Sequence, residues 1–112
     1  MSREADMPKY LIKASYTTEG ARGLMKVGGT ARRAAVQKMI GELGGKIETF
    51  YFAYGADDVL AVCDLPDAAS GIAISLVINA SGAVHSSTTP LITPEEVDAA
   101  CKKLPNYRAP WA

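Results

Sequence analysis

Residues 46–65 read KIETFYFAYGADDVLAVCDL, and this stretch decides the fold. Its first part, 46–54, carries Ile47, Phe50, Tyr51, Phe52 and Tyr54, the β-branched and aromatic side chains that suit a pleated surface. Gly55-Ala56-Asp57 follows, short and led by glycine, which is the chemistry of a hairpin turn. Residues 58–65 then bring Val59, Leu60, Val62 and Leu65. Side chains alternate faces along a strand. Strict alternation puts Phe50, Phe52 and Tyr54 on one face, with Ile47, Tyr51 and Ala53 on the other. On the second strand it separates Leu60 and Val62 from Val59, Ala61, Cys63 and Leu65. Neither strand divides into an apolar and a polar side, so both faces of this sheet require cover.

A chain of 112 residues forms one domain and can bury a core without staples. Its 12 basic and 12 acidic side chains cancel. That balance gives no field to attract nucleic acid or an anionic membrane. No apolar run reaches spanning length, and no signal-peptide pattern opens the sequence. Cys63 and Cys101 fit no metal-ligand spacing, no metal or cofactor motif is present, and Cys63 reads as a small buried hydrophobe rather than half of a disulfide. A reducing, cytoplasmic setting is the default for such cysteine usage.

Around the hairpin the remaining elements fall in order. Residues 1–7 are polar and aperiodic, a flexible extension; 8–104 form the domain; 105–112, PNYRAPWA, form a tail. Residues 9–16 make the first strand, with Tyr10, Ile12, Ala14 and Tyr16 on one face and Leu11, Lys13 and Ser15 on the other. Residues 17–29 connect through a short helical piece that Thr17 or Thr18 caps and Gly28-Gly29 breaks. A long helix spans 30–43. Thr30 is its expected cap, Ala31, Ala35, Val36, Met39, Ile40 and Leu43 its apolar stripe, Arg32 and Arg33 part of its wet side, and Gly44-Gly45 its end. After the hairpin, Pro66 stops the strand and Asp67 caps a second helix to residue 80, with Ala69, Ile72, Ala73, Leu76 and Val77 as its stripe. Residues 82–92 are Ser/Thr-rich and hold Pro90, so this strand belongs at an edge. Thr93-Pro94-Glu95-Glu96 opens a last helix with a capping box. The tail's Tyr107 and Trp111, the sole tryptophan, predict docking on the same chain or on a neighbour.

The order strand, helix, strand, strand, helix, strand, helix with right-handed crossovers gives an α+β class, a ferredoxin-like βαββαβ sandwich with a C-terminal helix. Strands one and three are central, two and four are edges, and both main helices land on one face. The opposite face and the aromatic edge at Tyr51–Tyr54, uncharged beyond Glu48, predict self-association, as a homodimer or a larger homo-oligomer.

Several stretches resemble the GYD domain family of small bacterial proteins: MPKYLIKASYTTEG at the start, the Gly-Gly-x-Ala-Arg-Arg-Ala-Ala-Val helix entry, LGGKIETFYFAYGADDVLAVCDLPD, and TTPLITPEEVDAA. The resemblance covers residues 7–104. It implies a ferredoxin-like, dimeric α/β-barrel type of assembly and no established reaction. The family is named for residues at the hairpin turn; here Gly55 and Asp58 are the counterparts of its glycine and aspartate, and its tyrosine is absent. Related barrels include small cofactor-independent monooxygenases and ligand-binding modules, an analogy of fold alone.

Candidate chemistry is sparse. His85, the only histidine, shares a strand face with Ser87 and Thr89. As an acid or base it would work beneath the open sheet face, helped by Tyr51 or Lys13; the plainer role is a hydrogen-bonded edge histidine. Lys13, Tyr16, Tyr51 and His85 are the candidate ligand-binding set. Tyr10, Tyr16, Phe50, Tyr51, Phe52 and Tyr54 either line a space for a flat apolar ligand or form core and interface. Asp58, with Asp57, is expected to close the turn, and Asp64 to cap toward Pro66. Gly28-Gly29-Thr30 with Arg32 and Arg33 offers anion chemistry but lacks the spacing of a phosphate loop. A small-molecule ligand and a second copy of the chain are the expected partners, against nucleic acid or membrane.

Overall fold

The computed structural model describes residues 7–111. In chain order the elements are β1 (Lys9–Tyr16), α1 (Thr18–Val27), α2 (Gly29–Glu42), β2 (Lys46–Phe52), β3 (Val59–Asp64), α3 (Ala68–Ala80), β4 (Val84–Leu91) and α4 (Pro94–Cys101). The strands form one four-stranded sheet in the order β2-β3-β1-β4, antiparallel at every pairing. This is the ferredoxin-like arrangement, with β1 and β3 inside and β2 and β4 at the edges. The flexible extension expected for 1–7 falls, apart from Met7, outside the described residues.

The core lies between one sheet face and helices α2 and α3. Tyr10, Ile12, Ala61, Cys63 and Leu65 meet Ile40 and Ile74, and all are buried. A second cluster of Ala14, Val59 and Val84 continues it toward the other end of the sheet. The bare face carries Leu11, Lys13, Val62, Leu60 and Tyr51, and none of them is buried.

Several boundaries depart from the sequence reading. The connection after β1 is a full ten-residue helix, capped by the Thr17 hydroxyl accepting from Gly20 N. Thr30 does not cap α2. Gly28, at φ +83°, takes the cap position without a side-chain bond, and the helix starts at Gly29. The left-handed φ lets α2 begin one residue after α1 has ended. Along α2, Ala31 and Ala35 are exposed; Ile40 is buried, while Val36, Met39 and Leu43 pack beside it, and Arg32 is half-buried. β2 ends at Phe52, leaving Tyr54 fully exposed in the loop. Its register slips between Ile47 and Thr49. This β-bulge turns Ile47 to the side of Phe50 and Phe52, against the expectation from strict alternation. The two phenyl rings meet edge to face at 5.4 Å.

The largest departure concerns α3. The structure buries Gly71 and Ile74 and half-buries Ser75 and Ile78. Of the stripe anticipated from the sequence only Ala73 is half-buried; Ile72 is 61% exposed, Leu76 67% and Val77 63%. A helix of 13 residues without a charge is apolar all round, so spacing cannot choose its inner side. On the inner side Gly71 lies against the Tyr10 ring, 3.4 Å from where a side chain would begin.

α3 also holds the edge of β4. The Asn79 side chain accepts from Ser86 N at 2.8 Å and donates to Ser86 O at 3.2 Å, occupying both groups that face away from β1. Asp67 caps α3 through Ser70 N at 2.8 Å. Asp64 is no cap; it is drawn to Lys9 across the sheet. α4 carries the expected capping box, Thr93 with Glu96, and Pro94 sits at its start. It makes no substantial contact with any other element, and none of its residues is buried. In the tail, Tyr107 and Trp111 are both largely exposed.

Candidate functional site

β-Sheet register fixes what the bare face can do. One row across it reads Tyr51, Leu60, Lys13 and Ser87, from β2 to β4. The next places His85 beside Ser15. Lys13 is half-buried near the middle, while His85 and Tyr51 are exposed at opposite edges. Three strand spacings separate those edges, ~14 Å at about 4.8 Å each. Within one chain Tyr51 and His85 therefore do not meet, and neither serves the other as proton partner. Tyr16 lies on the opposite, helix-facing side with Tyr10, Ile12 and Ala14. Of the four candidate ligand residues, only Lys13, Tyr51 and His85 share a face.

The charge chemistry of the bare face sits elsewhere. Lys9 Nζ bonds Asp64 Oδ1 at 2.8 Å and also bonds Glu48 Oε2. β1 and β3 place Lys9 directly opposite Asp64, and Lys46 lies opposite Asp64 on the other side. Asp64 is the one buried charged residue among those described, at 8% exposure. Donating to Asp64 first, and to Glu48 second, raises the lysine's proton affinity well above the ordinary range. An ion pair so arranged locks both strands at one end of the sheet. It is a framework contact, since every lone pair used in it is turned to Lys9. On the helix side, Cys63 is pushed up to about 11, by burial first and by the Asp64 charge second. Its thiol is inert at neutral pH. Cys101 is exposed and also free.

Asp58 has a structural role here. Asp58 Oδ2 accepts from Tyr16 N at 2.8 Å. Its own amide donates to Ala14 O at 2.8 Å, and its carbonyl accepts from Ala53 N at 2.9 Å. The residue thus ties the 53–58 loop to the end of β1 just before Thr17 caps α1. Ser15 Oγ reinforces this by donating to Ala56 O at 2.9 Å. The expected turn closure by Asp58 occurs, but its carboxylate reaches across to β1 rather than into the turn. Beside it, Tyr16, Leu24, Phe52 and Tyr54 line an open groove of about 440 Å3. Gly29 and Arg33, with Phe50 and Phe52, line a smaller hollow at the start of α2.

A third groove, about 370 Å3, runs between the outer side of α3 and β4. Tyr10, Gly71, Ile72, Leu76, Thr88 and Pro90 form its walls. Sequence reasoning missed it, because it exists only once α3 has turned its predicted inner stripe outward. Among the described residues no group of three or more His, Cys, Asp or Glu side chains is placed to hold a metal ion. No helix among them is long and apolar enough to cross a membrane.

A family model described as GYD domain matches residues 10–101. No curated protein and no solved structure matches the chain.

Proposed function

The chain belongs to the GYD domain family, and from that membership and its bare sheet face we propose a homo-oligomeric binding module in which two such faces close over a small ligand. One observation carries the reading. The face formed by Leu11, Lys13, Leu60, Val62 and Tyr51 is largely apolar, has a single cation at its middle, and is covered by none of the helices. Leu60 is 37% exposed and Tyr51 68%. Burial against a second copy removes this apolar surface from water, and Lys13 would otherwise be left unpaired in the seam. A flat, mostly apolar molecule with an acidic group answers both needs, with the aromatic edge at Tyr51 stacking and Lys13 pairing.

The enzyme alternative, a cofactor-independent monooxygenase-like reaction, requires Tyr51 of one copy to approach His85 of another, given their separation within a chain. It fails if His85→Ala leaves ligand binding and turnover as they were.

Light scattering at micromolar concentration tests the module reading. The expected mass is a multiple of the 11.8 kDa chain, reduced toward one chain by Leu60→Lys. Thermal shift with a panel of planar aromatic carboxylates should find a stabiliser whose effect Lys13→Met removes. A wild-type particle of single-chain mass would end the proposal.

A further inference from the structure

The chain carries two apolar surfaces that its own folding leaves uncovered, and they are of matching chemistry. One is the outer side of α3 with the groove beside β4. Its helix has no charged residue from 68 to 80, and a helix apolar all round is normally buried all round. The other is the run after β4. Every residue from 89 to 108 is exposed, including Ile92 at 67%, Val97 at 44%, Leu104 at 76% and Tyr107 at 79%, and Trp111 beyond them stands at 88%. Val97, Ala100, Cys101 and Leu104 recur at intervals of three and four, one stripe along α4 and its continuation.

The two surfaces do not meet in one molecule, and the junction explains why. Only Ile92 and Thr93 separate β4 from α4. Thr93 Oγ1 accepts from Glu96 N, and Glu96 Oε1 accepts from Thr93 N, both at 3.1 Å. Pro94 fixes the following backbone angle. The two-residue joint, held by a reciprocal cap and a proline, fixes the direction in which α4 leaves β4, and in that direction α4 makes no substantial contact with any other element. α4 is directed away from the body. The radius of gyration is accordingly 17.1 Å, against ~13 Å for a compact domain of this length.

We propose that residues 94–111 are an exchange arm, seated in the α3–β4 groove of a second copy of this chain. The arm's apolar stripe and aromatics lie on Ile72 and Leu76, while Glu95 and Asp98 stay in water. The contact is reciprocal under two-fold symmetry, because each copy has one arm and one groove. Two arms, each burying ~500 Å2 with as much groove, give about 2,000 Å2, above the ~1,200 Å2 at which stable interfaces begin. The inference rests on the self-association proposed above but uses a different surface from the bare sheet face.

The test uses the full chain. Asp98→Cys in a Cys101→Ser background puts one thiol on the wet side of the arm, and Cys63 is buried, so benzophenone maleimide labels the arm alone. Irradiation should yield a product of doubled mass, with crosslinks in residues 68–76 or 88–90. Trp111 emission should be blue-shifted at high concentration and move red on dilution. Ile72→Glu combined with Leu76→Glu changes exposed positions only, so the fold should keep its circular dichroism. The pair should cut the doubled product about tenfold, the effect of losing roughly 1.4 kcal/mol of apolar contact. Intramolecular crosslinks alone, crosslinks mapping to the bare sheet face, or a doubled product indifferent to the α3 pair would overturn the arm. A wild-type chain of single-chain mass would overturn both the arm and the self-association; an oligomer with crosslinks elsewhere would overturn only the arm.

Discussion

Asp58→Ala isolates a single tie between the hairpin loop and β1. The carboxylate accepts from Tyr16 N at 2.8 Å from a half-buried position. A hydrogen bond to a charged group contributes ~1.5–3 kcal/mol, and its removal also leaves the Tyr16 amide without an acceptor. Partial exposure lets water replace some of this, so the expected loss is about 1.5 kcal/mol. The backbone bonds of residue 58 to Ala14 and Ala53 remain, so the variant should fold. At 4–8 °C per kcal/mol for a domain near 100 residues, Tm should fall by about 6–12 °C. Urea titration at matched protein concentration should move the midpoint by ~1 M, for a slope near 1.5 kcal/mol per M. Asp58→Asn keeps an oxygen acceptor without the charge and should lose about half as much. Asp57→Ala, one residue away and outside the contact, is the control. Hydrogen exchange at Tyr16 should accelerate in Asp58→Ala. The reasoning is refuted if Asp58→Ala lies within ~0.3 kcal/mol of wild type, below the ordinary worth of a hydrogen bond, or if Asp57→Ala is equally damaging.

Gly20→Ala should be among the most harmful single substitutions. A methyl group there would stand 2.0 Å from Ala83 O, forcing α1 off the strand β4 approaches from, and soluble yield or urea midpoint will record a loss above ~2 kcal/mol. Thiol titration of the native protein should leave Cys63 untouched, its thiol appearing only on denaturation. Because Cys63 is held at about 11 in the fold against an ordinary thiol value of 9.0, the unfolded chain gives up that proton first. Stability from this group is complete below pH ~9 and falls as pH rises toward 11, by at most roughly 3 kcal/mol at about 1.4 kcal/mol per pH unit. Cys63→Ala should flatten that decline in a urea series from pH 8 to 11.

What the sequence disclosed followed from local signals strong enough to stand alone. The alternation in 9–16, the glycine-led turn after Tyr54 and the Thr93–Glu96 box all located their elements within a residue or two. The strand order followed from connection rules, and it already places Tyr51 and His85 at opposite edges; grouping them as one site overlooked that consequence. The side of α3 turned inward was illegible, because every side of that helix is apolar and its inner contacts, such as Gly71 against the Tyr10 ring, are long-range. Asp64 read as a cap for the same reason: only register reveals that Lys9 stands across from it. Likewise the bulge in β2, one extra residue between Ile47 and Thr49, moved Ile47 to the core side without any glycine to announce it.

The Asn79 clasp on Ser86 has a consequence for how copies of this molecule can add together. With the outer backbone groups of Ser86 taken, a newcomer strand finds an interrupted ladder along β4 and a freer one along β2. A particle that is adhesive along a single margin can join one like itself and is then finished, whereas two adhesive margins would propagate without limit. Asn79→Ala would thus open a route to fibres that the native sequence keeps shut.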